Sequence, residues 1–429
     1  MPRLKLPTTI KHRYFFVAIA SILLGLLYWS IAPVFSSNQP ATALFEQVWE
    51  TVNSRFYDSN FNGVDWQALR GQYRSRVVEA RSKEAPAIAI NQMLSELKTS
   101  HTRLYTPDEP AYYQVLGIFQ PRIPDLRKQL QPFFPKGKIE YSDIGIFTHN
   151  LDGKIFVRAI LDGSPAMQAN LLVGDRLLSV DGQPFHPTQS FSGKAGQTVN
   201  LQIQRSAASN SLQTIQVTPR MFDTTKMFLE AQRASTQIIK RSGKAIGYTH
   251  IWSYAGEQYQ SQLEEDLIYG QIKDADALVL DLREGWGGAP ITALNIYGSD
   301  RLNLTSILRD GKRSTIHAQW HKPVVMLVNE NSRSAKEILA YGLQQNRLGT
   351  VVGTRTAGAV VGGFPFLMAN GDLLYVAVTD VLINGNVRLE GKGVQPDIEV
   401  PFPLPYAQGI DPQKERAIET ALAAAQKKS

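Results

Sequence analysis

The 429-residue chain predicts an α/β protein of two or three folded units, because it is too long for one compact core. Three observations carry that reading. Apolar residues recur at helical spacing in the first hundred residues, short alternating strands with glycine turns occupy 141–218, and after residue 245 continuous apolar strands alternate with helical patterns. Strands of that last kind are usually buried on both faces by helices.

The elements follow in order. Residues 1–13 carry Arg3, Lys5, Lys11 and Arg13, a basic flank. Tyr14 to Phe35 contains no charge, and its unbroken apolar run to Ile31 approaches the roughly 20 residues that cross a bilayer as a helix. A secretory signal has a shorter apolar region, so 14–35 is read as a membrane anchor. The basic flank then stays cytoplasmic and the body is extracytoplasmic, in the periplasm or an equivalent space. The "ATA" at 41–43 keeps cleavage, and a secreted form, as the alternative.

In 42–107, "LFEQVWETVNSRF" aligns Leu44, Phe45, Val48, Trp49, Val52 and Phe56, and Trp66, Leu69, Tyr73 and Val77 repeat the pattern. A third helical stretch, 87–97, leads into "KTSHTRLYTPDEP", where a polar cluster and proline end it. Residues 108–140, rich in proline and basic side chains, are expected to form a linker or insertion. Next comes a β-rich module over 141–218, with a hairpin around Leu151-Asp152-Gly153 and turns at Gly174-Asp175 and Asp181-Gly182. The α/β unit, 221–403, holds strands at 246–251, 277–283, 323–329 and 350–356, with helices near 257–271 and 334–346. A tail, 404–429, is a proline-rich link and a helix with no assigned chemistry.

The formal charge is +7, of which four units sit on the basic flank, leaving +3 for residues 46–429. That excess gives no case for a nucleic-acid partner. With no cysteine, disulfides, thiol catalysis and thiolate-bound metals are excluded. No P-loop and no cluster with metal-ligand spacing occurs, so no cofactor is expected.

Four stretches could carry chemistry. Ser334 follows the strand "PVVMLVN" and opens a helix, where unpaired N–H groups can bind an oxyanion. Ser334 and Glu337 also have capping-box spacing, and on this stretch alone the cap is the commoner case. In "LDLREGWGGAP", Gly285, Gly287 and Gly288 let backbone N–H groups approach a ligand. "TSHT" at 99–102 contains one of only seven histidines, His101, although an isolated surface histidine is commoner than a catalytic base. "LEGKGVQPDIEV" places Glu390 in a glycine turn, by default a solvated loop.

Taken together, "TSHT", "GSPA…GDRLLSVDG", "LDLR..GG", "VN..S.SA.EI", "TAGA" and "EG.GV.PD" resemble, in order over most of 42–400, the tail-specific or C-terminal processing serine peptidases. The resemblance implies a crotonase/ClpP-like ββα peptidase core with an inserted PDZ-like β domain and an N-terminal helical region. PDZ domains add a peptide as an extra strand and bind its terminal carboxylate in backbone N–H groups. Here those groups fall at Asp143, Ile144, Gly145 and Ile146, and the preceding "SD" is less typical. Where the Ser-Lys members carry a lysine, this chain has Ala359. Lys336 lies two positions from Ser334 on one helix and faces elsewhere. "TAGA" resembles instead the tricorn-core branch, which uses a Ser-His-Ser-Glu tetrad. By this resemblance Ser334 is the nucleophile, His101 its base, and Ser100 and Glu390 orient the site. Ala335 and Gly287 or Gly288 supply the oxyanion N–H groups. The implied activity is endopeptidase hydrolysis of unstructured or C-terminal polypeptide, rising through roughly pH 6 to 7 if His101 keeps its ordinary pKa. The same resemblance extends to interphotoreceptor retinoid-binding protein, so an inactive peptide- or lipid-binding protein is the alternative. A chaperone-like scaffold would rest on the PDZ-like module alone.

Overall fold

The structure is a computed structural model that describes residues 41–427, apart from 209, 291, 299–302, 308, 311 and 318. The expected anchor at 14–35 lies outside the described residues. Among the described residues, no helix is long and apolar enough to cross a membrane.

A six-stranded sheet forms the centre of the larger unit. Its order is Gln237–Arg241, Lys244–His250, Ala277–Asp281, Val324–Val328, Thr350–Gly353 and Ile398–Glu399, parallel after the first pair. The strands read as continuous apolar runs because both faces are covered. Leu278, Leu280, Met326 and Val328 pack toward helices Met227–Ser235, Glu257–Ile268 and Ala335–Gln345. Ala277, Val279, Val325 and Leu327 pack on the other face against Ala417, Ile418, Ala421 and Ala425. Those four belong to helix Pro412–Lys427, so the tail helix is a structural layer of this unit and not an appendage. Alternation of side chains along each strand sends neighbouring residues to opposite helical layers.

The β-rich module orders its strands Ile146–Leu151, Lys154–Ile160, Arg176–Val180, Val199–Gln204 and Leu212–Val217, leaving Ile146–Leu151 at an edge. The chain enters through Glu140–Asp143 and leaves through Arg220–Asp223, and these two strands pair antiparallel. Entry and exit are thereby zipped together, the geometry of an inserted domain.

Residues 108–140 are not a linker. They form helices Pro110–Phe119 and Pro124–Leu130, each with proline in its first turn. Tyr112, Val115, Leu116, Leu126 and Leu130 bury against Leu367 and Leu373. Proline, read in the sequence as a sign of irregular chain, here starts helices. The N-terminal helices Ala41–Arg55, Trp66–Val78 and Ala85–Ser95 pack on a hairpin, Gly362–Leu367 with Leu373–Thr379, that sequence patterning did not disclose. Arg103–Tyr105 joins that hairpin as a third strand, pairing Arg103 with Tyr375 and Leu104 with Leu374.

Candidate active site

Ser334 stands where strand Val324–Val328 gives way to helix Ala335–Gln345. Its backbone is strained, with φ 60° and ψ −133°, a region that L residues rarely occupy. Two contacts hold it: its N–H donates to the Ala359 carbonyl at 2.8 Å and to Glu337 Oε2 at 3.1 Å. The second is the return half of a capping box, so cap and candidate nucleophile are the same residue. A serine pinned in a strained strand-to-helix turn is the arrangement of a nucleophile elbow.

Glu337 does more than cap. Its fully buried carboxylate also accepts from Thr356 Oγ1 at 2.6 Å and from the N–H groups of Gly358 and Ala359 at 2.7 and 2.8 Å. Burial pushes its pKa up, and those donors oppose the rise. Glu337 therefore ties the "TAGA" loop to the serine turn, a role sequence reading missed because it treated the residue only as half of a cap.

"TSHT" is carried into the site by the strand pairing of Arg103–Tyr105, and the Thr102 hydroxyl accepts from the Ala377 N–H at 3.2 Å. The Ser100 hydroxyl lies 2.8 Å from His101 Nδ1 and donates to Glu390 Oε2 at 2.9 Å. Glu390, 5% exposed, is no solvated loop residue: it also accepts from the N–H groups of Ser100 and Val360 at 2.7 and 2.6 Å, and from Thr99 Oγ1 at 3.3 Å. These bonds assign the imidazole tautomer. A hydroxyl has one hydrogen to give. With that hydrogen directed at Glu390, the Ser100 oxygen accepts from the Nδ1–H of His101, and Nε2 keeps its lone pair.

The two halves meet at one dipeptide. Val360 N–H holds Glu390, and the Ala359 carbonyl holds Ser334. Ala359 is thus a backbone junction. His101 itself, at φ 58°, makes no hydrogen bond to Ser334, and its ring stands 5.5 Å from Tyr375. Removal from water, and then the nearby Arg333 charge, pull its pKa down to about 3. The imidazole is therefore neutral well below the pH 6 to 7 range anticipated from the reference value.

Gly287, rather than Gly288, abuts the serine. A Cβ on Gly287 would lie 2.4 Å from the Ser334 Cβ, whereas one on Gly288 would meet Ala255. Ala335 begins the helix immediately after Ser334. Lys336 is fully buried, with Nζ donating to the carbonyls of Glu284 at 2.8 Å and Trp252 at 3.3 Å. Burial lowers its pKa to about 7, and Asp281 and Glu284 resist that shift. Its hydrogens hold the glycine loop in place, consistent with a side chain turned from the serine hydroxyl.

The β-rich module touches this site directly. Arg158 pairs with Glu284 at 2.7 Å, and Glu284 Oε1 accepts from Asn329 and Asn331 at 2.8 and 3.0 Å. Phe147 stacks on Trp252 at 5.6 Å. The expected carboxylate loop is closed from within, however. Asp143, Ile144 and Ile146 are buried, and the Asp143 carboxylate accepts from the Ile144 N–H at 2.7 Å. Its pKa is raised to about 7 by burial, against the pull of the Ile144, Gly145 and Ile146 N–H groups. The very groups expected to receive a peptide carboxylate face the chain's own.

A parallel sheet covered on both faces, a strained serine at a strand end and an inserted β module define a serine-peptidase fold. Residues 245–400 match Peptidase family S41, residues 40–95 the Tricorn protease C1 domain and residues 142–217 a PDZ domain. The chain combines a peptidase family S41 domain with Tricorn C1 and PDZ domains. It is 26% identical over 412 residues to a carboxyl-terminal-processing protease of Synechocystis sp., covering 92% of this chain and 89% of the relative. It is also 26% identical over 400 residues to tricorn protease homolog 1 of Streptomyces coelicolor, covering 89% of this chain but 35% of that longer protein. Among solved structures, the photosystem II D1 C-terminal processing protease superposes with a TM-score of 0.51 at 20% identity, over 87% of this chain and 98% of the other.

Proposed function

We propose that this chain is a serine endopeptidase that hydrolyses unstructured or C-terminal polypeptide segments, with a histidine base in place of a Ser-Lys dyad. The observation that carries the reading is the continuous line from Glu390 through Ser100 to His101, which leaves Nε2 as an acceptor, with Glu390 tied through the Ala359-Val360 dipeptide to the strained Ser334. Ser334 Oγ attacks the scissile carbonyl as its proton passes to His101 Nε2, and the oxyanion rests on the N–H groups of Ala335 and Gly287. His101 then protonates the leaving amine as the tetrahedral intermediate collapses to an acyl-enzyme. Water, deprotonated by the same nitrogen, releases the new carboxylate and restores Ser334. The lowered pKa keeps His101 neutral at rest, and the developing oxyanion offsets its positive charge during attack.

The uncharged segment at 14–35 supports placing the body outside the cytoplasm on a membrane anchor. Intact-mass labelling of the full chain in detergent with a fluorophosphonate tests the chemistry, beside Ser334→Ala and His101→Ala, with and without an unfolded protein. Labelling lost in both variants supports the assignment. Labelling that survives His101→Ala names the wrong base, and none under any condition favours the binding-protein alternative.

A further inference from the structure

Among the described residues, Arg333, which precedes Ser334, has no counter-ion. Its Nε is shut off from water without an acceptor, and among the described residues its guanidinium makes no hydrogen bond or ion pair. The group lies over the Trp286 ring, 5.6 Å from its centroid. Its positive charge lowers the pKa of His101 and works in the same direction on Tyr105 and Tyr375. Its charge thus reaches the histidine, and the indole it covers belongs to Trp286, which precedes Gly287, the glycine that abuts Ser334. Other cations near the catalytic loops are partnered: half-buried Arg158 by Glu284, half-buried Arg283 by Asp281 and Asp411, and buried Lys336 by two carbonyls.

A partly desolvated cation with no partner is costly, and it also acts against the protonation of His101. An anion brought by the substrate would relieve both. The planar guanidinium fork fits a carboxylate bidentately, and its stacking on an indole fixes its orientation. We propose that Arg333 is a specificity-determining residue that takes a substrate carboxylate next to the scissile bond, supplied by an acidic side chain or by the terminus of the polypeptide. By neutralising Arg333, that carboxylate also raises the basicity of His101, so an acidic substrate improves its own cleavage. This rests on the peptidase reading given above.

The test uses quenched-fluorescent peptides in matched pairs, Glu against Gln, at each position around the scissile bond, with a second set comparing free-acid and amidated termini. The full chain is compared with Arg333→Gln and Arg333→Lys. One charge-assisted bidentate contact predicts a preference of about tenfold or more for the acidic member of one pair. Arg333→Gln should bring that ratio to about 1, and Arg333→Lys should keep part of it. Discrimination in the side-chain set names an acidic residue, and in the terminal set the chain end. A ratio near 1 in the unaltered protein, or one unchanged in Arg333→Gln, overturns the proposal. Because each ratio is taken within one protein, a general loss of activity cancels. Binding of the same pairs to Ser334→Ala, read by fluorescence anisotropy, gives a readout free of turnover. Failure of fluorophosphonate labelling instead removes the peptidase reading beneath it.

Discussion

Ser100→Ala removes one hydroxyl, and its consequence can be worked from the bonds it makes. The Ser100 oxygen sits 2.8 Å from His101 Nδ1 and passes its hydrogen to Glu390 at 2.9 Å. Without it, two things change. The tautomer preference loses one neutral hydrogen bond, worth about 0.5 to 1.5 kcal/mol, so the form with a free Nε2 no longer dominates. The imidazolium formed during attack loses a charge-assisted bond, worth about 1.5 to 3 kcal/mol. At about 1.4 kcal/mol per decade, the second term alone lowers kcat/KM by roughly 10- to 150-fold. Ser334→Ala should abolish acylation outright. The assay is steady-state cleavage of an unfolded protein together with the rate of fluorophosphonate labelling, since both need an activated Ser334. The fold should survive, because Glu390 keeps the Ser100 and Val360 N–H groups. A reduction below about threefold would show that Ser100 does not couple Glu390 to His101, and the relay would be wrong.

Four further outcomes follow from individual contacts. In Glu337→Gln an amide NH2 replaces Oε1: Thr356 can turn its hydroxyl to accept, but the Gly358 N–H is orphaned, costing about 1 to 3 kcal/mol in urea unfolding. Less than about 1 kcal/mol would mean the "TAGA" loop does not depend on this carboxylate. Gly287→Ala drives a methyl against the Ser334 Cβ and the Arg333 carbonyl, so it should abolish labelling and also lower the melting temperature; labelling at the original rate would remove Gly287 from the site. Because His101 is neutral above a lowered pKa, the acid limb of kcat/KM should lie below pH 6, and a limb centred near 6.5 would contradict the burial that lowers it. With Asp143 on the Ile144 N–H, free-acid and amidated peptides should bind the PDZ domain about equally, and Asp143→Gly should make the free acid tighter; a strong free-acid preference before substitution would refute this.

How much was legible in the sequence depended on how far each interaction reaches along the chain. The apolar runs at 277–283 and 323–329, the helix that follows Ser334 and the glycine turns of the PDZ domain are local patterns, with bounds within a few residues of those observed. Resemblance also pointed to Ser100, His101 and Glu390, which the fold joins by hydrogen bonds. What pairing decides was not legible. Nothing near "TSHT" says that Arg103–Tyr105 will join a hairpin some 270 residues later, yet that register delivers His101 to the site. The same holds for Glu337, whose spacing announced a cap while its partners at 356–359 lie beyond the following strand, and for the helix Pro412–Lys427, whose small residues look inert until the sheet stands beneath them. Asp143 makes the point in miniature. Its neighbours in sequence suggested an open carboxylate loop, but burial with no external donor turned the side chain onto its own backbone. Sequence fixes periodicity, strain-tolerant residues and chemical type. Which distant donor meets which buried acceptor is settled only when the chain closes, because a buried polar group left unsatisfied costs at least as much as the hydrogen bond it lacks.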